Sequence, residues 1–319
     1  MKNRIPQEDM LRVSAAVEAP AKKRRKLFAV LPTLLTLGNA ACGFGAITFA
    51  ATVGPTAAYG NELWIAGALI YVAMIFDMFD GTAARLMNQT SEFGANLDSL
   101  CDAVSFGVAP AFLTLQFMRS THATEQQLDV VPWFEYPPRF LWVVGAMFVV
   151  CVLLRLARFN VETDEDDSHE FFSGLPSPAG AGVLASFPIV MAWLLRDLAD
   201  DRVFIGHYLA QWLVPAVKVV VPVITIVVAC LMVSRVRYPH FFNQLFSKRH
   251  TRKHLIQILA AVVVIILQPG LVLFVLFAYF AFGAPLMSGW RRAFRRIEAD
   301  AGPGEETGEG ESGSGGAGE

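Results

Sequence analysis

The chain has 319 residues, of which 54% are hydrophobic and 17% charged, with a formal net charge of −2. A soluble domain carries about 25% charged residues, and these apolar residues come in runs too long for one water-soluble core, so an ordinary soluble enzyme is excluded. The near-neutral balance offers no electrostatic footprint for a nucleic-acid partner.

Residues 1–20 are polar and weakly patterned, and Lys22-Lys23-Arg24-Arg25-Lys26 forms a basic stretch suited to the membrane interface. The apolar run that follows continues without a small-residue cleavage site, so it reads as an uncleaved first helix. A run of about 20 apolar residues crosses the hydrocarbon core as a helix. Such runs fall at 33–53, 62–80, 97–118, 139–158, 177–195 and 213–233. A longer region, 255–288, is broken by Gln268-Pro269-Gly270 and reads as two short helices joined by a turn.

The expected fold is therefore all-α, a polytopic membrane protein of about eight transmembrane helices. Its segments are a cytoplasmic stretch 1–31, a core of six helices 32–233, a basic cytoplasmic loop 234–254, a C-terminal hairpin 255–288 and a tail 289–319. The tail is basic at first, then acidic and too poor in apolar residues to fold. With both termini cytoplasmic, only Arg119, Arg139, Arg196, Arg202 and Lys218 of the 26 basic residues fall outside. The positive-inside rule favours that orientation strongly. Cys42, Cys101, Cys151 and Cys230 are far apart in apolar stretches, which suits small buried residues better than a disulfide framework. His250 and His254 lie in a run of Lys and Arg and read as part of a solvated basic face.

Chemistry is concentrated where the second span ends and the third begins. Ionisable residues in a membrane helix are costly and point to function. Asp77 and Asp80 are three apart and share a helix face, with Gly81 and Ala84 leaving open backbone beside them and Arg85 next in line. Gly94, Asp98 and Asp102 then stack at intervals of four on the following helix. The topology brings the four carboxylates together at the cytoplasmic face. Their repulsion there would force some to protonate unless cations intervene, and hard divalent cations take carboxylate oxygens. A transporter's proton or sodium site is the rival reading, although these acids sit at one face and not near the midplane.

From Asp77 to Asp102 the pattern is D-x-x-D-G-x-x-A-R-x8-G-x3-D-x3-D. It resembles the signature of the CDP-alcohol phosphatidyltransferases at every fixed position: Asp77, Asp80, Gly81, Ala84, Arg85, Gly94, Asp98 and Asp102. The resemblance implies two divalent metal ions, Mg or Mn, among Asp77, Asp80, Asp98 and Asp102. It implies a CDP-diacylglycerol pocket lined by Gly81, Ala84, Arg85 and Gly94, Asp102 as general base on the incoming alcohol, and a homodimer among membrane lipids. Membrane prenyltransferases also hold diphosphates with aspartates, but without the Gly-x-x-Ala-Arg element between them.

Three further stretches resemble the phosphatidylserine synthases within that family. They are Pro32 to Asn39 with Gly43 to Ile47, Ser91 to Pro110, and Arg155 to Asn160 with Gly174 to Ala179. Thr33 stands where such enzymes often carry asparagine. This closer resemblance implies L-serine as acceptor; glycerol 3-phosphate, inositol or choline are the alternatives. Arg155 and Arg158 share a face at the inner end of the fourth span. They either snorkel to lipid phosphates or hold an anion, since guanidinium matches carboxylate geometry. Arg155 or Arg158 is therefore expected to bind the serine carboxylate, with Asn160 and Ser177 as weaker candidates. The acids at 162–167 read as a solvated loop.

Overall fold

The computed structural model describes residues 31–54, 60–86, 92–127, 135–162, 171–199, 204–234, 236–239, 270–283 and 285. In chain order the helices are α1 (Leu31–Ala51), α2 (Asn61–Leu86), α3 (Glu92–Asp102), α4 (Ala109–Gln127), α5 (Pro138–Glu162), α6 (Ser177–Ala199), α7 (Phe204–Val233) and α8 (Gly270–Gly283). Because α3 and α4 form one rod, the described residues contain six helices long and apolar enough to cross a membrane. α8, at 14 residues, is shorter. The fold is thus all-helical and polytopic. The first half of the expected hairpin, residues 1–30 and the tail lie outside the described residues.

Burial follows the sequence pattern. On α5, Val144, Phe148, Val152 and Leu156 recur every fourth residue and are all buried, while Trp142, Val143, Val150, Leu153 and Leu154 are exposed. An apolar face turned outward suits hydrocarbon, which asks only that backbone groups be satisfied within the helix. α6 is the centre of the bundle. Residues 179–189 are buried without a break, and α6 packs on α2, α4 and α7. α8 lies against this centre through Phe274 on Phe187 and Phe277 on Tyr71, with ring centroids 5.2 and 5.4 Å apart.

Three features depart from the simplest reading of the sequence. The third span does not stop near 118 but runs from Glu92 to Gln126. Its far half carries Thr114, Gln116, Ser120, Thr121, Thr124 and Glu125, which dilute the hydropathy yet are buried by neighbouring helices. Glu125 there accepts a 2.6 Å bond from Lys218 of α7. Between α3 and α4, residues Ala103–Val108 form a π-helical turn in which the Ala109 N–H bonds Val104 O. Pro110 supplies the reason: it cannot donate to the carbonyl four residues back, and its ring would press on that group. The wide turn just before it relieves both. Finally, a two-stranded antiparallel ribbon pairs β1 (Phe171–Ser173) with β2 (Arg237–Pro239). Gly174 closes it at φ +89°, and a Cβ there would lie 2.4 Å from Met232 O. Only glycine meets both demands cheaply.

Candidate active site

The site forms where the C-terminal ends of α2 and α5 meet the N-terminal halves of α1, of the α3–α4 rod and of α6. Asp77 and Asp80 come from the last turns of α2, and Asp98 and Asp102 from α3. One carboxylate oxygen from each of Asp77, Asp98 and Asp102 lies within 4.8 Å of the others. Asp80 adjoins this trio, in electrostatic contact with Asp77 and Asp98. It is only 4% exposed, and Thr36 of α1 lies beside it. The Asp80 Oδ2 and Asp98 Oδ1 atoms are buried without a hydrogen-bond partner among the described residues.

Such an arrangement is unstable as bare protein. Buried carboxylate oxygens without donors are expensive, and like charges at this separation repel. The donor set is all hard oxygen, which suits a divalent cation of the Mg or Mn kind. The residues present fit such an ion.

Two other helices complete the surroundings. Asn39 of α1 is fully buried, and its Nδ2 donates to Asp102 Oδ1 at 2.9 Å. Ser105, in the π-helical turn, donates from Oγ to the Asn39 main-chain oxygen at 2.9 Å. α1 can come this close because of Gly43, where a Cβ would lie 2.4 Å from Ser105 Oγ. Arg155 of α5 is in electrostatic contact with Asp102 and Asp77. Its Nη1 donates to Ser177 Oγ, at the start of α6, at 2.7 Å. The Arg155 Nε is buried and has no hydrogen-bond partner among the described residues. Asn160 bonds Ser99 through its Nδ2, 2.9 Å from Ser99 Oγ, which ties α5 to α3 between Asp98 and Asp102.

The sequence candidates therefore divide. The four aspartates come together, and Arg155 and Ser177 join them as a bonded pair. Asn160 braces α3, and Arg158 is half-buried one turn beyond Arg155. A Cβ at Gly81 would meet open space, which leaves the α2 backbone accessible there. Gly94 is half-buried in the first turn of α3. The side chains of Ala84 and Arg85 lie outside the described residues. Asn39 was missed as a site residue, although an asparagine in an apolar span is itself a signal.

Residues 29–224 match the sequence profile of the CDP-alcohol phosphatidyltransferases, which spans the whole constellation from Asn39 to Ser177. The chain belongs to this family. Among the curated relatives of this chain, one from Mycobacterium tuberculosis (strain ATCC 25618 / H37Rv) is named CDP-diacylglycerol–serine O-phosphatidyltransferase. It is 38% identical over 166 residues, 51% of this chain and 50% of the relative. A Helicobacter pylori (strain J99) protein of the same name is 29% identical over 214 residues, 66% of this chain and 73% of that one. An archaetidylserine synthase of Methanothermobacter thermautotrophicus is 34% identical over 167 residues, 52% of this chain and 60% of its own. The chain spans about half the length of the mycobacterial relatives it matches.

Proposed function

We propose that this protein transfers the phosphatidyl group of CDP-diacylglycerol to the hydroxyl of L-serine, giving phosphatidylserine and CMP. The observation that carries the reading is the convergence of Asp77, Asp98 and Asp102 within 4.8 Å, beside an arginine whose Nε has no hydrogen-bond partner among the described residues. The names of the relatives, two of them serine phosphatidyltransferases and one an archaetidylserine synthase, support serine as acceptor.

Asp77, Asp80, Asp98 and Asp102 would hold two divalent cations, Mg or Mn, which when bound supply charge neutralisation to the diphosphate and to the attacking and leaving oxygens. Gly81, Ala84, Arg85 and Gly94 would line the path of the cytidine diphosphate group. Asp102 takes the proton of the serine hydroxyl as that oxygen attacks the phosphorus bearing diacylglycerol. The bond from that phosphorus to the bridging oxygen breaks, and CMP departs with the bridging oxygen. Arg155, oriented by Ser177, holds the serine carboxylate. Arg158 and Asn160 flank it. The basic distribution of the sequence supports a cell-membrane protein with both termini and the site at the cytoplasmic face, and the family resemblance implies a homodimer.

The test is CMP release by the protein purified in detergent with CDP-diacylglycerol and Mn or Mg. L-serine, inositol, glycerol 3-phosphate and choline are offered separately. Release with serine alone, abolished by EDTA and restored by metal, is the expected result. Release with another alcohol overturns serine as acceptor. No release with any alcohol from folded protein reopens the transporter and prenyltransferase readings.

A further inference from the structure

Among the described residues, five buried polar atoms lack a hydrogen-bond partner: Asn39 Oδ1, Asp80 Oδ2, Asp98 Oδ1, Glu125 Oε1 and Arg155 Nε. Glu125 belongs to the far end of the bundle. The two aspartate oxygens belong to the cation-binding set. What remains is one neutral acceptor and one cationic donor, each on a residue that interacts with Asp102.

The Asn39 amide nitrogen faces Asp102 and donates to it at 2.9 Å, so the amide oxygen, which only accepts, faces away from that carboxylate. Nor can the side chain easily turn. Asn39 is fully buried, Ser105 holds its main-chain oxygen, and the Gly43 contact fixes α1 against the π-helical turn. An acceptor with no donor in a buried place costs about 1–3 kcal/mol. A site that carries such an atom beside its reacting group is built for a ligand that donates.

We propose that Asn39 Oδ1 accepts a hydrogen bond from the ammonium group of the acceptor amino acid, so that Asn39 and Arg155 read its two charged ends. This deepens the serine reading above and rests on it. With the carboxylate on Arg155 and the ammonium on Asn39, the hydroxyl of a short α-amino acid is left for Asp102. Choline, whose quaternary nitrogen has no N–H, cannot satisfy the amide oxygen. Glycerol 3-phosphate carries no ammonium at all.

The experiment measures CMP release against L-serine concentration, with 3-hydroxypropionate as the competing alcohol. That compound keeps the carboxylate and hydroxyl of serine and lacks the amino group. In the unaltered protein its inhibition constant should exceed the apparent KM for serine by at least about tenfold. Asn39→Ala should raise the serine KM by about 10- to 100-fold, the worth of one hydrogen bond from a charged donor, and move the 3-hydroxypropionate constant less than about twofold. Equal competition by serine and 3-hydroxypropionate in the unaltered protein overturns the proposal, and this comparison stands even if the variant fails to fold. Loss confined to kcat, or equal weakening toward both compounds, also overturns it, since it reduces Asn39 to a support for Asp102. A raised Mn requirement with unchanged serine KM would assign the amide oxygen to a cation instead. Unaltered protein that works on another alcohol but not on serine would defeat the parent reading, a result separable from all of these.

Discussion

Replacing Lys218 by Met tests the polar far half of the bundle. Lys218 and Glu125 meet at 2.6 Å with their side chains 7% and 2% exposed, and the second carboxylate oxygen of Glu125 has no hydrogen-bond partner among the described residues. His122 Nδ1 stands 3.8 Å from the bonded oxygen, beyond hydrogen-bond distance, and is half exposed. Removing the ammonium therefore strands a buried carboxylate with no hydrogen-bond donor among the described residues. Breaking one side of a buried pair costs about 3–5 kcal/mol, whereas replacing both partners by apolar groups of similar size is often neutral or stabilising. Denaturant unfolding in detergent, followed by far-ultraviolet circular dichroism, should show Lys218→Met destabilised by about that amount. The double variant Glu125→Leu, Lys218→Met should recover most of it. The pair lies 23 residues beyond Asp102 on one rod, about 35 Å at 1.5 Å per residue, so CMP release per folded molecule should not change. A single variant costing under about 1 kcal/mol, the scale of an exposed pair, would refute the reasoning. So would a double variant no more stable than the single one.

Three other outcomes follow from the site and its frame. Asp102→Asn should lower kcat for CMP release by about 10²- to 10⁴-fold, the usual worth of a positioned base, with thermal stability in detergent retained. Ser177→Ala removes the acceptor that orients Arg155 and should raise the serine KM about 3- to 10-fold, the scale of one hydrogen bond, while the KM for CDP-diacylglycerol stays unchanged. Gly174→Ala forces a side chain into a left-handed conformation and against Met232 O. It should lower stability by at least about 1–3 kcal/mol from backbone strain alone, read as a fall in the thermal midpoint.

What the sequence made legible depended on range. The aspartates are three and four residues apart on single helices, so helical periodicity alone puts each pair on one face, and the short α2–α3 connection brings the pairs together. The apolar runs located the spans for the same local reason, whereas the wide turn before Pro110 was not read from the sequence. Partnerships between distant residues were invisible. Glu125 and Lys218 are 93 positions apart, and each taken alone looks like a charge near a membrane edge. The ribbon joins two three-residue strands from loops on either side of α6 and α7, far too short to show a strand periodicity. Asn39 could be seen as a polar residue in an apolar helix, but its pairing with Asp102, 63 positions away, needed the packing of α1 on the π-helical turn.

That turn has a geometric consequence of its own. An extra residue in one helical turn advances the phase of everything after it by about 100°. The rod from Glu92 to Gln126 thus has two independently clocked halves. Its first half is set so that Asp98 and Asp102 look toward α2, and its second so that Glu125 looks toward Lys218. Deleting one residue between Ala103 and Val108 would leave the rod just as apolar and nearly as long, yet swing one set of charges a quarter-turn away from its partners. Hydropathy would register almost no change, while the molecule would lose either its reacting centre or its far-end lock.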